Sequence, residues 1–415
     1  MYDVIVTGGG AAGLMAAGFA AKEGAKVLVA EKMVTCGRKL LISGSGRCNI
    51  TNTIKDTKQF VAKFGKNGRF LYQAINSFTT SDVVSFFNSK GLKTAVEKNF
   101  KVFPAGDAGS ADVLRVLMGF CVSGGVEFLS SSPVTKINTA DGRIISVTAG
   151  GRDIECNAAV IACGGKSYPA TGSSGDGYAL ASALGHTIAE PRPVLVPAYS
   201  DSEWIKDLQG VSLRDIRLTL FSAGKNVASA DGDLVFTDKG VSGPAVYDIT
   251  RYEFDRSADN RLMIDLLPLK SATELDAELE LSMRTNNKKI LKNIIDECVM
   301  SSLVPAVFAV SGIDPMLKAS NLSKKDRNKL VSAVKGLELS GVNFAGFERA
   351  VVTAGGVKLK EIDGRSMSST IVDGLFFAGE VMDLDAPTGG YNLQMCWSTG
   401  RLAGISCAEY AKKKI

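Results

Sequence analysis

The sequence predicts an α/β fold in which the two ends of the chain build one domain around a long insert. Three observations predict it. The chain opens on a short apolar run that leads into a glycine-rich turn and a helix-forming segment. Its pattern changes to alternating strands near Pro191, and near Phe347 it returns to apolar, glycine-rich stretches before a last helical segment. At 415 residues the chain is long enough for two or three domains.

The first element combines a strand, a glycine turn and a helix. Residues 2–6 have the apolar, β-branched composition of a buried parallel strand, and residues 11–23 have that of a helix. Three glycines at this junction have the spacing G-x-G-x-x-G: Gly8, Gly10 and Gly13. A second apolar strand, residues 25–30, ends on Glu31.

This context is typical of a dinucleotide-binding fingerprint. Glycines let the backbone approach a pyrophosphate, and the start of the helix, Ala11 and Ala12, offers N–H groups at a positive dipole end. Glu31 lies where an acid binds ribose hydroxyls. A glycine-rich turn in an ordinary α/β protein is the alternative.

The composition excludes several classes of protein. With 45% apolar and 22% charged residues, no apolar run of membrane length and no basic leader, the chain is expected to be a soluble, cytoplasmic protein. Its eight cysteines form no C-x-x-C pair, so no metal site and no disulfide scaffold are expected. His186 is the single histidine, and a histidine pair or a catalytic triad is therefore excluded.

The positive charge is concentrated in one segment. Residues 284–335 contain ten Lys or Arg and four Asp or Glu, while the whole chain carries a net charge of +5. A solvated helical surface is one interpretation, and a face for an anionic partner such as RNA is the other.

The segments between Glu31 and Pro191 are predicted in order. Residues 32–52 form a basic loop, residues 67–90 and 110–124 form helices, and residues 126–162 form a β-meander. The meander ends in small residues, where Ala162 and Gly164 indicate a backbone that approaches a cofactor.

The later segments complete three predicted parts. Residues 1–191 and 347–415 form one domain, residues 192–270 and 336–346 form an inserted β domain, and residues 271–335 form a helical subdomain. A domain built from both chain ends favours FAD over NAD, because the extended FAD reaches from the first glycines to later strands. A second G-x-G-x-x-G is absent, so NAD(P)H is expected only as a transient hydride donor.

Five longer motifs make the pattern specific. They are GRKLLISGSGRCNITN (37–52), ACGGKSYPATGSSGDGY (162–178), LVFTDKGVSGPAV (234–246), VTAGGV (352–357) and GLFFAGEVMDLDAPTGGYNLQMCWSTG (374–400). Together they resemble the BaiN/RdsA-like family of FAD-dependent oxidoreductases, also known as aminoacetone-oxidase-like flavoproteins, over essentially the whole chain. The resemblance implies a glutathione-reductase-type, Rossmann-like FAD domain with an inserted β-barrel-like domain and a small helical subdomain.

The resemblance also implies which residues bind FAD. The set for its ADP half is Gly8, Gly10, Gly13 and Glu31, with Lys32 beside them. The set for the phosphates and ribityl chain is Arg38, Lys39, Gly379 and Glu380. The loop against the isoalloxazine contains Ser45, Gly46, Arg47, Cys48 and Asn49. The last helix opens with Gly389, Gly390, Tyr391, Asn392 and Leu393, facing flavin N1 and O2.

Two positions depart from the family pattern. Asp238 stands where the family often carries His, which rules out a histidine acid there. Ser45 takes the middle position of a loop that commonly reads G-G-G-R-C-N, which is a mild change.

The substrate stays open, because activities across the family are diverse. The first hypothesis is hydride transfer from NAD(P)H through flavin N5 to a conjugated C=C, either the uracil ring of ribosomal RNA or a bile-acid-like enone. Oxidation of a small amine or amino ketone is the second, and a non-catalytic redox sensor is the third. For the first, the acid candidates are Cys48, Tyr168, Tyr391 and Lys166, with Arg47 as oxyanion donor. The oligomeric state is left open.

Overall fold

The computed structural model describes residues 1–413, which form two compact units. The first combines Met1–Pro193 with the chain from Ala350 onward, and the second is Val194–Arg349. We call them the discontinuous unit and the inserted unit. The division of the chain into three parts stays a prediction.

The discontinuous unit contains twelve of the strands in the described residues. They are β1 (Tyr2–Thr7), β2 (Val27–Ala30), β3 (Thr51–Asn52), β4 (Thr94–Val96), β5 (Lys101–Pro104), β6 (Glu127–Leu129), β7 (Val134–Ala140), β8 (Arg143–Ala149), β9 (Arg152–Ile161), β10 (Ile188–Val194), β18 (Val352–Val357) and β19 (Leu375–Phe377). Its helices are α1 (Ala11–Lys22), α2 (Arg38–Ile42), α3 (Thr57–Ala62), α4 (Tyr72–Ser77), α5 (Thr80–Ser89), α6 (Ser110–Ser123), α7 (Asp176–Ala183) and α13 (Tyr391–Lys412).

A seven-stranded sheet forms the centre of this unit. Its order is β6-β2-β1-β9-β8-β7, and β19 also pairs with β9. The strands β6, β2, β1 and β19 and the second half of β9 run parallel, because helical segments return the chain between them. The first half of β9 continues into an antiparallel meander with β8 and β7. The predicted meander over 126–162 is therefore wrong at its start, because β6 follows α6 as a parallel strand beside β2.

The first and the last helix of the discontinuous unit pack closely. A Cβ built on Gly400 would lie 2.5 Å from the Ala12 carbonyl oxygen, and one on Gly404 would lie 2.3 Å from the Ala16 carbonyl oxygen. Only glycine allows the two backbones to approach this far. Both helices bury most of their residues in the same hydrophobic core as the parallel strands.

The inserted unit consists of an antiparallel sheet and a group of helices. The sheet order is β16-β15-β12-β13-β14-β11-β17. Its strands are β11 (Ala198–Tyr199), β12 (Ser212–Ser222), β13 (Lys225–Phe236), β14 (Gly240–Ser242), β15 (Asn260–Asp265), β16 (Leu337–Leu339) and β17 (Asn343–Phe344). The helices are α8 (Pro244–Ile249), α9 (Ala272–Thr285), α10 (Leu291–Ile295), α11 (Val304–Ser311) and α12 (Lys324–Lys335). One apolar cluster belongs mainly to the sheet and another to the helices α9–α12.

Candidate functional site

The carboxyl ends of the parallel strands meet at one edge of the central sheet. β1 leads into Gly8, β2 into Glu31, β9 into Ala162 and β19 into Gly379. Backbone hydrogen bonds hold these ends together, with Gly8 N donating to Ala30 O at 2.8 Å and Ala162 N donating to Thr7 O at 3.0 Å. Open α/β sheets bind their ligands at this edge.

The three fingerprint glycines differ in what lies in front of them. A Cβ on Gly13 would lie 1.9 Å from the Gly8 carbonyl oxygen, and one on Gly8, which has φ +95°, would lie 2.9 Å from the Ala162 carbonyl oxygen. A Cβ on Gly10 would meet no atom within 4 Å. Gly8 and Gly13 are therefore required by the packing of the protein itself. Gly10 borders open space at the start of α1, which fits the pyrophosphate of a dinucleotide.

Glu31 is held rigidly beside this turn. Its Oε2 accepts a hydrogen bond from Gly9 N at 2.7 Å, and its Oε1 accepts one from Met33 N at 2.8 Å. Each carboxylate oxygen has a further lone pair for a ribose hydroxyl. Lys32 is directed elsewhere, because its Nζ forms an ion pair with Asp176 at 2.5 Å, whereas Arg38 is exposed on α2.

Lys39 and Glu380, which the sequence assigned separately to the cofactor, bind each other. Lys39 Nζ lies 2.7 Å from Glu380 Oε2, and both side chains are partly buried. Glu380 Oε1 accepts hydrogen bonds from Ser167 Oγ at 2.9 Å and from Thr353 N at 2.8 Å. The carboxylate at the end of β19 is thus fixed by three donors.

The hydrogen positions in this network follow from the number of lone pairs. Thr353 Oγ1 accepts from Lys166 N and Ser167 N, at 2.9 Å and 3.1 Å, so its own hydrogen is left for Ser167 Oγ at 2.9 Å. Ser167 then donates its hydrogen to Glu380. Ser167 and Thr353 are fully buried, and the sequence analysis assigned neither of them. Their only signal was their position inside two of the family motifs.

The predicted flavin loop packs against the start of α13. With Asn49 Nδ2 facing carbonyl groups, this side chain donates to Thr51 O at 2.9 Å and accepts from Gly390 N at 2.9 Å. Gly390 has φ +84°, and a Cβ there would lie 2.3 Å from the Thr51 carbonyl oxygen. On the other side of the loop, a Cβ on Gly46 would meet no atom within 4 Å. Ser45 beside it is exposed and has a left-handed backbone, with φ +56°. The loop therefore combines a tight contact with an open side.

The first turn of α13 has donors directed out of the helix. No side chain caps its N-terminus, and no acidic residue lies in its first turn. Asn392 accepts from Ala386 N at 3.0 Å and donates to Ala386 O at 2.8 Å, which fixes the preceding loop. The Tyr391 ring packs on Phe60 with ring centroids 5.3 Å apart, and Leu393 packs against the core. The side chains of residues 391–393 thus orient the turn, and the positive end of the helix dipole lies at this uncapped N-terminus.

The candidate catalytic side chains lie in different environments. Cys48 is fully buried, and burial raises the pKa of its thiol to about 12, so the thiol is protonated at neutral pH. Arg47 forms an ion pair with Glu97 and stacks on the Phe103 ring at 4.4 Å. Tyr168 is half-buried and has a left-handed backbone, with φ +52°. Gly164, also left-handed at φ +72°, lies earlier in the same loop.

The basic segment of the inserted unit is largely neutralised. Helix α9 adds four acidic residues, so residues 272–335 contain ten basic and eight acidic side chains. Arg327 contacts Asp276 at 2.7 Å and Glu280 at 3.1 Å, and Lys329 contacts Asp326 at 2.9 Å. The excess that the sequence analysis placed in residues 284–335 is thus compensated by the neighbouring helix.

None of the helices within residues 1–413 has the length and the apolar character of a membrane span. No group of three or more His, Cys, Asp or Glu side chains in this part of the chain could hold a metal ion.

Comparison with known proteins places the chain among relatives of known class. The family model described as the HI0933-like protein Rossmann domain matches residues 2–406. The chain belongs to this family. It is 30% identical to a 3-dehydro-bile acid delta(4,6)-reductase of Clostridium scindens, over 99% of this chain and 100% of that protein. It is also 30% identical to a ribosomal RNA dihydrouridine synthase of Escherichia coli, over 96% of each chain.

Solved structures show the same fold. The 3-ketosteroid-delta4-(5alpha)-dehydrogenase of Rhodococcus jostii matches with a TM-score of 0.55 and 17% identity, over 98% of this chain and 96% of that chain. A flavocytochrome c3 fumarate reductase matches with a TM-score of 0.55 and 16% identity, over 99% of this chain and 78% of that chain.

The family and the fold class predicted from the sequence are therefore confirmed. As a member of the HI0933-like family, the chain is an FAD-dependent oxidoreductase.

Proposed function

We propose that the protein passes hydride from NAD(P)H through FAD to a C=C that is conjugated with a carbonyl group. Uracil in ribosomal RNA is the first candidate acceptor, and a bile-acid-like enone is the second. The observation that carries the proposal is the open backbone in front of Gly10 at the carboxyl edge of the sheet, where a dinucleotide fits. The relatives support the class of acceptor, because their names describe the reduction of a double bond in an enone or in uridine.

The residues that would hold FAD follow from the geometry above. Gly10 and the first N–H groups of α1 would hold the pyrophosphate, and Glu31 would hold ribose hydroxyls. The Lys39–Glu380 pair would lie along the ribityl chain, and the start of α13 would stabilise negative charge on the flavin ring. FAD supplies the hydride that the β-carbon of the acceptor receives.

The protein itself must supply a proton to the α-carbon of the acceptor. Tyr168, in the loop that follows β9, and Tyr391, the first residue of α13, are half-buried, whereas the Cys48 side chain is fully enclosed. The two hydroxyl groups are therefore better placed than the thiol to meet an incoming substrate. We propose Tyr168 as the first candidate and Cys48 as the last.

Anaerobic half-reactions test this function. Purified protein should carry about one FAD per chain, and NADH or NADPH should bleach the flavin absorbance in the absence of oxygen. Reoxidation is then compared with unmodified ribosomal RNA, a bile-acid enone and oxygen as acceptors. Rapid recovery with RNA or the enone supports the proposal. Recovery with oxygen alone, after reduction by an amine or amino ketone, would identify an oxidase, and no turnover with any donor would identify a redox sensor.

A further inference from the structure

The hairpin formed by β4 and β5 exposes an aromatic ring on a strained backbone. Its turn contains Asn99 with φ +58° and Phe100 with φ +62°. Asparagine tolerates this left-handed region, but a bulky aromatic residue rarely occupies it. The Phe100 side chain is nevertheless 68% exposed. Glycine or asparagine would form this turn with less backbone strain than phenylalanine.

The turn is anchored, so its exposed ring has a defined position. Thr53 N donates to Phe100 O at 3.0 Å, and Glu97 N donates to Lys101 O at 2.8 Å. Val102 and Phe103, the next two residues of β5, are buried. The backbone below the ring is thus held from both sides of the turn.

The same hairpin is joined to the predicted flavin loop. Arg47 forms an ion pair with Glu97 and stacks on Phe103. Asn49 Nδ2 lies 3.2 Å from Val102 O, and β3, which follows this loop, pairs with β5. Through Asn49 and Gly390 the hairpin is also connected to the start of α13. Phe100 therefore belongs to the same assembly as the elements that would surround the flavin.

The charge around the ring is positive. The turn that carries the ring contains Lys98 and Lys101 and one acid, Glu97, which is paired with Arg47. Lys93 lies at the other end of the hairpin, where its carbonyl oxygen accepts from Ala105 N. An exposed aromatic ring among lysines is the combination with which proteins bind single-stranded nucleic acid, because bases stack on the ring and phosphates contact the cations. In the helical region 272–335, by contrast, most of the charge is compensated.

We propose that the β4–β5 hairpin binds single-stranded RNA next to the target uridine. A base stacks on Phe100, and Lys98 and Lys101 contact phosphates. The proposal rests on the proposed function with RNA as the acceptor, and it moves the RNA contact from the inserted unit to the discontinuous unit.

Binding of fluorescein-labelled oligouridylate to the holoenzyme tests the hairpin. Phe100→Gly removes the ring and relieves the left-handed strain, so the variant keeps its thermal stability. We expect its affinity to fall by about 5- to 150-fold, the effect of losing one stacked base. Phe100→Tyr retains a stacking ring and should restore binding to within a few-fold of wild type. Lys98→Gln should reduce the log–log salt slope by about 0.7.

A matched control is Tyr252→Ala, which truncates a 53% exposed aromatic residue of the inserted unit and should leave oligouridylate binding unchanged. A Phe100→Gly variant that binds oligouridylate with wild-type affinity would overturn the hairpin proposal. A variant that loses affinity only for a 3-keto-4-ene steroid, and not for oligouridylate, would overturn it as well. These results are distinct from a failure of the proposed function. That failure would appear in the wild-type protein as reduced flavin that no unsaturated carbonyl compound reoxidises.

Discussion

The two units of this protein use charged side chains in opposite ways. In the discontinuous unit, Glu380 is partly buried and receives three directed hydrogen bonds at the edge where the parallel strands end. In the inserted unit, Arg327 and Lys329 lie on helices whose acidic and basic residues nearly balance. The difference shows that the net charge of a sequence segment does not indicate a function until the ion-pair partners of its charged side chains are known.

The largest effect is expected at Gly10, which borders open space in the discontinuous unit. Gly10→Val should abolish FAD binding, because the valine side chain would occupy the space in front of α1, and the apoprotein should keep its melting temperature. FAD content and thermal unfolding measure both. Gly119→Val is the matched control, since a Cβ there also meets no atom within 4 Å but lies on α6, away from the sheet edge. An FAD-loaded Gly10→Val protein would contradict the cofactor site.

The next effect separates the candidate acids. Tyr168→Phe should slow reoxidation of the reduced flavin by the unsaturated acceptor by about 100-fold, the usual scale for a lost general acid, and leave reduction by NAD(P)H unchanged. Cys48→Ala should change both half-reactions by no more than a few-fold. Stopped-flow absorbance at the flavin band follows each step. A 100-fold loss in Cys48→Ala with normal FAD content would reverse this assignment.

A smaller effect is expected when the hydroxyl chain behind Glu380 is broken. Thr353→Val removes the hydroxyl that orients Ser167 and that accepts from Lys166 N and Ser167 N. We expect FAD affinity to fall by roughly 10-fold, because Ser167 is then less well aligned to donate to Glu380. The flavin midpoint potential should shift as well, because the Glu380 carboxylate is less fixed. Thr353→Ser retains the hydroxyl and should restore both quantities. Wild-type FAD affinity in Thr353→Val, with reduced affinity in Thr353→Ser, would instead show that the site needs only the volume of Thr353.

The smallest effect is expected in the inserted unit. Charge reversal at Lys324, Lys325 and Lys329 should leave the salt slope of oligouridylate binding nearly unchanged, because acidic neighbours already compensate this surface. Each lost phosphate contact would otherwise reduce the slope by about 0.7. If the salt slope fell by that amount for each lysine, the RNA contact would lie on α12. The charges of the inserted unit would then have a binding role, contrary to the comparison above.

The sequence identified candidate site residues by two kinds of signal. Gly10 and Glu31 were candidates because the strands, the glycine turn and the helix around them leave a local signature, and the start of α13 was a candidate through the resemblance of its motif. The roles of these residues in binding stay predictions. Ser167 and Thr353 had no such signature, because their role arises only when two segments 186 residues apart meet. The exposed ring of Phe100 was missed for a related reason, since burial and φ depend on how the hairpin folds back on β3.

The charge of residues 284–335 depends on acidic residues that lie outside this segment. A count over one segment omitted the acids of α9, which begins at Ala272 and supplies Asp276 and Glu280 to Arg327. The strand β6 was misplaced because its pairing with β2 is set by the path of α6 and not by its own residues.

The close crossing of α1 and α13 has a consequence for synthesis. Ala12 and Ala16 pack against the backbone of Gly400 and Gly404, which the ribosome adds much later than α1. At about 5–20 residues per second, α1 is complete on the order of 20–80 s before its partner emerges. During that interval the face of α1 that packs on α13 has no native cover, although α6 can already cover another face. We therefore expect the nascent chain to be a client for a holding chaperone. The inserted unit has a continuous sequence, so it can finish folding before α13, the packing partner of α1, has been synthesised.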